Sequence, residues 1–264
     1  MALTYHETVF ILKPTSPGHT ARIRIFTPAR EIPFAGHPTV GTAVLLAELR
    51  ASAVKGEQDS IIALEEAAGS IRVGVRLRPG SAAFGEFDAP KVVAQPEVLS
   101  EPEEIAAAVG LIPAELTFEN HKPTLLRSAT AFGFVPVANL EAIAKLRVAP
   151  VHWARAFTDR KVDGVYFYTR QSVRTHAAFH ARMLAPDLGI AEDPATGSAA
   201  VGFAHVVQTF DGLPDGVHKR TIEQGLEMGR PSLIQLTMTI QRGKLEGVRI
   251  GGHAVRVAQG SLLV

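Results

Sequence analysis

Apolar and polar residues alternate strictly over residues 21–26 (ARIRIF), a period of two that predicts a strand with Arg22 and Arg24 on its wet face. Residues 7–12 (ETVFIL) are β-branched and aromatic and are closed by Lys13-Pro14 and Ser16-Pro17-Gly18, so they are the expected hairpin partner. Residues 60–64 and 70–77 flank Ala67-Ala68-Gly69 as a second hairpin, and residues 82–87 add a short strand. At Pro38 the pattern changes. TVGTAVLLAEL is apolar and too long for an ordinary strand, which predicts a buried helix with its first turn near Pro38, where a missing N–H costs nothing.

Asp88-Ala89-Pro90 and Gln95-Pro96 then punctuate the chain, and a helix is expected from Ser100-Glu101-Pro102-Glu103-Glu104, with a Ser cap, an early Pro and acids in its first turn. Strands over 123–128 and 132–137 precede a helix over 139–146 (NLEAIAKL). GVYFYT at 164–169 reads as the most deeply buried strand, with 175–184 as its neighbour, followed by the apolar helix SAAVGFAHVV. Residues 231–264 divide at glycines into three strands, SLIQLTMTI, GVRIGG and AVRVAQG.

Both halves therefore run from strands through a Pro/Gly turn to a buried helix, and the turns themselves repeat. EIPFAGHPTVGTA at 31–43 and EDPATGSAAVGFA at 192–204 align without a gap. Glu31/Glu192, Pro33/Pro194, Gly36/Gly197, Val40/Val201, Gly41/Gly202 and Ala43/Ala204 are identical, and His37 falls opposite Ser198. The expectation is an α/β (α+β) protein of two pseudo-symmetric lobes, each a curved, mostly antiparallel sheet around a central helix. The first lobe spans 1–95 and is completed by a strand over 254–264; the second spans 96–253.

Composition narrows the chemistry. The 27 Lys and Arg nearly cancel the 26 Asp and Glu without a basic run, which argues against a nucleic-acid or polybasic membrane surface and for a small-molecule partner. The chain has no cysteine, so thiol nucleophiles, zinc–thiolate sites and disulfides are excluded. No apolar run approaches the roughly 20 residues that span a bilayer, and the expected location is the cytoplasm. No Gly-x-Gly-x-x-Gly or Walker loop is present, so no nucleotide cofactor is expected. Ser198 lacks the Gly-x-Ser-x-Gly elbow of a serine hydrolase. His176 and His180 lack the Glu of a zinc helix and read as structural.

A helix's first-turn N–H groups carry partial positive charge, and a Gly there lets a ligand approach the backbone. Two such termini facing each other would grip a carboxylate between the lobes. His37 and Asp193 are the polar groups such a cleft would contain, able to move or orient a proton; the plainer reading makes Asp193 and Ser198 helix caps and His37 a turn histidine. Glu7, taken alone, reads as a surface charge.

EIPFAGHPTVGTA, FHARMLAPDLGIAEDPATGSAAVG, GLEMGRPSLI and the closing VRIGGHAVRVAQG together resemble the phenazine biosynthesis PhzF-like isomerase family, along almost the whole chain. The resemblance implies a diaminopimelate-epimerase-like fold with the active site between two similar lobes, a homodimer, and a cofactor-independent isomerase, the type reaction acting on a dihydro-hydroxyanthranilate. It implies that Glu7, in Glu7-Thr8-Val9-Phe10, shuttles the proton, that His37 and Asp193 orient and polarise the substrate, and that Gly36, Gly197 and Ser198 bind it, with no metal. Relatives on this fold that use two cysteine bases find no counterpart here, Ala35 and Ala195 standing in that neighbourhood. In two respects the chain departs from the family pattern. The segment resembling Glu7 is usually preceded by an opening strand, a turn and a helix, and His6 stands where Ser is common. A non-catalytic small-carboxylate binding protein with the same cleft is the alternative.

Overall fold

The computed structural model describes residues 5–51, 56–90, 96–128 and 130–261. Its first half contains β1 (Thr8–Leu12), β2 (Ala21–Phe26), β3 (Glu31–Ile32), α1 (Gly36–Ala51), β4 (Gln58–Glu66), β5 (Gly69–Leu77) and β6 (Ala83–Asp88). There follow β7 (Glu97–Val98), α2 (Pro102–Val109), β8 (Thr124–Arg127), β9 (Ala131–Pro136), α3 (Leu140–Lys145) and α4 (Pro150–Ala156). The last third holds β10 (Gly164–Thr169), β11 (Phe179–Ala185), β12 (Ile190–Asp193), α5 (Gly197–Asp211), β13 (Gly216–Gln224), β14 (Ser232–Gln241) and β15 (Lys244–Ala254).

Among the described residues the strands form one mixed sheet in the order β1-β2-β4-β5-β6-β15-β14-β13-β11-β10-β9-β8-β7, with β3 on β2 and β12 on β11. Most pairs are antiparallel; β2–β4, β9–β10 and β11–β13 are parallel. The alternating strands bury one face. Ile71, Val73 and Val75 of β5 point into the core while the residues between them are exposed, and Val44 and Ala47 of α1 belong to the same buried cluster.

β10 is apolar without alternation because both of its faces are covered. Tyr166 and Tyr168 pack into the cluster that includes Phe203 of α5, whereas Val165 and Phe167 pack into a second cluster with Ile143, Trp153 and Phe157 of the α3–α4 layer. A strand buried on both faces reads as a continuous hydrophobic run. Helix α3 starts as its sequence predicts, with the Asn139 side chain accepting from Ala142 N at 2.8 Å.

Several local expectations shift. Ser100 does not cap α2, whose N-cap is Glu101 without a side-chain bond; Ser100 is buried and donates to Ala156 O at 2.7 Å, tying the entry of α2 to the end of α4. β11 begins at Phe179, after a turn closed by Ala177 N on Arg174 O. The expected strand over 254–264 does not form: β15 ends at Ala254, 255–261 are irregular, and 262–264 lie outside the described residues. Residues 249–254 pair with β6 instead. β13 has no counterpart in the sequence reading, because its outer half (GVHKRT) is polar and partly exposed.

Phe203 is fully buried, with ring centroids of Tyr168 and Phe179 at 4.6 and 4.9 Å. Phe203→Ala is expected to destabilise the fold by about 3–5 kcal/mol, read from urea unfolding; a loss below about 1 kcal/mol would show that α5 does not organise this core.

Candidate active site

The N-termini of α1 and α5 meet backbone to backbone. A Cβ on Gly36 would lie 2.5 Å from Gly197 Cα, and a Cβ on Gly197 would lie 2.8 Å from Gly36 Cα. No side chain fits at either position, so the two glycines permit the approach that brings both first turns, with their unpaired N–H groups, to one place.

His37 follows Gly36 by one residue and reaches across this contact. Its Nδ1 lies 2.8 Å from Ala195 O, in the second repeat, and its Nε2 lies 2.9 Å from Glu7 Oε2. A carbonyl only accepts, so Nδ1 carries hydrogen and Nε2 faces the carboxylate. Burial works against a charged imidazole here, but the nearby Asp193 and the hydrogen bond and charge of Glu7 outweigh it and push the His37 pKa up to about 9. At neutral pH His37 is an imidazolium that donates to Ala195 O and forms an ion pair with Glu7.

Glu7 immediately precedes β1, and its side chain is 7% exposed against 34% for His37. Asp193 ends β12 and is 4% exposed. One of its oxygens, Oδ2, accepts from Thr196 Oγ1 at 2.5 Å, while Oδ1 has no partner among the described residues. Burial raises the Asp193 pKa, the His37 charge lowers it, and the Glu7 charge raises it again, with a net upward shift.

Donor atoms of Glu7, His37 and Asp193 all lie within 4.8 Å of one another. Such a set has the geometry to hold a cation; here its imidazole and one carboxylate are bonded to each other. Ser198, in the first turn of α5, lines the same cavity of about 130 Å³ as Glu7 and Asp193. The rest of that wall is largely apolar, including Phe34, Phe132, Met183 and Ile190.

Each first turn is braced by a polar residue at the end of a strand. Gln224, fully buried at the end of β13, donates to Asp193 O at 2.7 Å and Thr196 Oγ1 at 2.9 Å, and accepts from Thr196 N at 3.3 Å. Glu66, at the end of β4, lies 2.7 Å from Thr39 Oγ1, which also lies 2.7 Å from Ala35 O. Burial pushes the Glu66 pKa up to about 7 despite the Thr39 bond. Neither brace was singled out in the sequence, although Thr196 lies inside the second repeat and Gln224 directly precedes the GLEMGRPSLI segment. His180 is engaged elsewhere, with Nδ1 2.9 Å from Glu223 and Nε2 2.8 Å from Glu227.

The family profile described as phenazine biosynthesis-like protein matches residues 1–260. The chain belongs to this family. An uncharacterized isomerase of Mesorhizobium japonicum is 47% identical over 98% of this chain and 85% of its own length. The trans-2,3-dihydro-3-hydroxyanthranilate isomerase of Pseudomonas aeruginosa is 31% identical over 96% of this chain and 83% of its own. A solved phenazine biosynthesis protein of the PhzF family from Bacillus anthracis shares the fold, with a TM-score of 0.83 over 99% of this chain and 86% of that one at 22% identity. These relatives support an isomerase activity for this member of the phenazine biosynthesis-like family. No helix among the described residues is long and apolar enough to cross a membrane.

Because folding raises the His37 pKa from its ordinary value of about 6.5 to about 9, the folded state holds this proton more tightly. The stability that His37 contributes is complete below about pH 6.5 and is lost as pH rises to about 9. Melting temperatures across this window should fall more steeply for the wild type than for His37→Gln; parallel profiles would refute the charged imidazole.

Proposed function

We propose that this cleft catalyses cofactor-independent proton transfer between two carbons of a small carboxylated, cyclic substrate, with Glu7 as the base. The observation that carries this reading is the Glu7 carboxylate, largely shielded from water, 2.9 Å from the His37 imidazole and lining one cavity with Asp193. A general base must be ionised and within reach of a carbon-bound proton. The imidazolium of His37 pairs with the Glu7 carboxylate and holds its position.

In this reading the first-turn N–H groups around Gly36, Gly197 and Ser198 hold the substrate carboxylate, and His37, whose two ring nitrogens face Ala195 O and Glu7, contributes through its charge. The free Oδ1 of Asp193 accepts from an amino or hydroxyl group of the ring. Glu7 removes a proton from one ring carbon, the electron pair shifts into the adjacent unsaturated system, and the same carboxyl returns a proton to a second carbon. The step is balanced without an oxidant or reductant. Imidazolium and helix N-termini supply positive charge where the intermediate gathers negative charge, the kind of fixed electrostatic stabilisation that dominates many catalytic sites. The P. aeruginosa relative, named for a dihydro-hydroxyanthranilate, makes an amino-substituted ring acid the first substrate to try.

In D2O with trans-2,3-dihydro-3-hydroxyanthranilate, Glu7→Gln should lower deuterium incorporation by about 10²–10⁴-fold while leaving anthranilate affinity within about threefold; undiminished exchange would remove Glu7 from the role of base. Exhaustive dialysis of the wild type against a chelator should leave the exchange rate unchanged. A loss restored by one divalent metal would instead assign the Glu7, His37 and Asp193 donors to that ion.

A further inference from the structure

Among the residues lining the cavity, one carries a permanent positive charge. Arg30 shares that lining with Glu7, Asp193 and Ser198, and its side chain is 55% exposed while Asp193 is 4% exposed. The guanidinium therefore stands at the cleft mouth and the catalytic cluster at its floor. Glu31 also lines the cavity, but its carboxylate is held by Arg24 through two bonds of 2.8 and 2.7 Å.

The loop that carries Arg30 is fixed. Thr27 Oγ1 accepts from Ala29 N at 3.3 Å and Arg30 N at 3.1 Å and donates to Arg30 O at 3.0 Å. Pro28 packs on the Gly189 turn, where an added methyl would come within 3.3 Å of Pro28 Cβ. Arg30 makes one ion pair, from Nη2 to Asp163 Oδ1 at 2.5 Å. Asp163 is itself anchored, its Oδ2 accepting from Ala131 N at 2.8 Å. A guanidinium has five N–H donors in a planar fork; Nε and Nη1 of Arg30 meet no acceptor among the described residues. Such a fork suits a carboxylate or phosphate held by two parallel bonds.

We propose that Arg30 is a second anion subsite at the cleft mouth, so that the cleft takes a ring acid bearing two acidic groups, one at the helix N-termini and one at the guanidinium. This inference rests on the carboxylate-binding reading of the cleft floor. Asp163 is then a fixed competitor: it holds the guanidinium in place when the cleft is empty and opposes the second acid group by its charge.

The two residues consequently have opposite effects, which a simple surface ion pair does not produce. Binding of anthranilate, 2-aminoterephthalate and 4-aminoisophthalate is measured by calorimetry on the wild type, Arg30→Met and Asp163→Asn. The latter retains an acceptor for Ala131 N. At least one of the two-carboxylate acids should bind the wild type about tenfold more tightly than anthranilate. Arg30→Met should abolish that preference with anthranilate affinity unchanged, and Asp163→Asn should enlarge it severalfold. Equal wild-type affinities for all three acids, or the same loss in both variants, would overturn the subsite while leaving the cleft floor intact. If none of the acids binds, the carboxylate-binding reading falls as well.

Discussion

The contact between Gly36 and Gly197 is the constraint on which the other features depend. Two helix N-termini carry partial positive charge and repel each other, and side chains normally keep them apart. Here the absence of both Cβ atoms lets Cα approach Cα, and the sheet wraps both helices to hold them there. The consequences follow from chain connectivity. His37 is one residue beyond the first glycine and Ala195 two before the second, so the imidazole Nδ1 finds its acceptor across the contact at 2.8 Å. Asp193 enters the same space because β12 ends directly before the turn. A side chain at either glycine would push the helices apart and lengthen the His37–Ala195 bond that spans the contact.

The braces beneath the two turns are alike in position and different in chemistry. Both are long polar side chains at strand ends, and each reaches a threonine: Glu66 to Thr39 and Gln224 to Thr196. Gln224, being neutral, is satisfied without a proton equilibrium and fixes the Asp193 backbone and the Thr196 hydroxyl together, which leaves Asp193 Oδ1 free. Glu66 faces a single hydroxyl hydrogen that also faces Ala35 O. A protonated Glu66 can donate to Thr39 while Thr39 donates to Ala35, and its pKa, raised by burial to about 7, favours that arrangement in acid. The symmetric frame thus supports a first turn whose hydrogen bonding is sensitive to pH and a second whose hydrogen bonding is not.

What the sequence disclosed was local. The Gly-x4-Gly spacing in each repeat, the alternation of ARIRIF and the unbroken apolar run of GVYFYT each report how one segment meets its immediate surroundings, and each corresponds to an observed element. The features that escaped are long-range. Gln224 and Asp193 are 31 residues apart, and Arg30 and Asp163 are 133 apart; neither pair leaves a periodic trace. β13 escaped for a related reason. It pairs with β14 along its whole length, but its outer six residues are exposed or only half-buried and mostly polar, so its apolar pattern falls below what a strand ordinarily displays. The polar clasp of the candidate site and the cation at its mouth are products of tertiary structure.

Glu7 differs from the other site residues in how it is held. His37 and Ser198 lie in the first turns of α1 and α5 and Asp193 at the end of β12, whereas Glu7 leads into β1, the outermost strand of the first half among the described residues, with Phe10, Ile11 and Leu12 all substantially exposed. Its position is set by the ladder to β2, by the edge-on contact of Phe10 with Phe26 at 5.5 Å, and by the bond to His37. Among the described residues β1 pairs on one side only, so the ion pair with His37 adds to the ladder in fixing Glu7. In the proposed reaction Glu7 must reach two carbons of one substrate, and His37, anchored at Nδ1 by a carbonyl of the opposite repeat at 2.8 Å, is the charged partner that keeps that reach within the cleft.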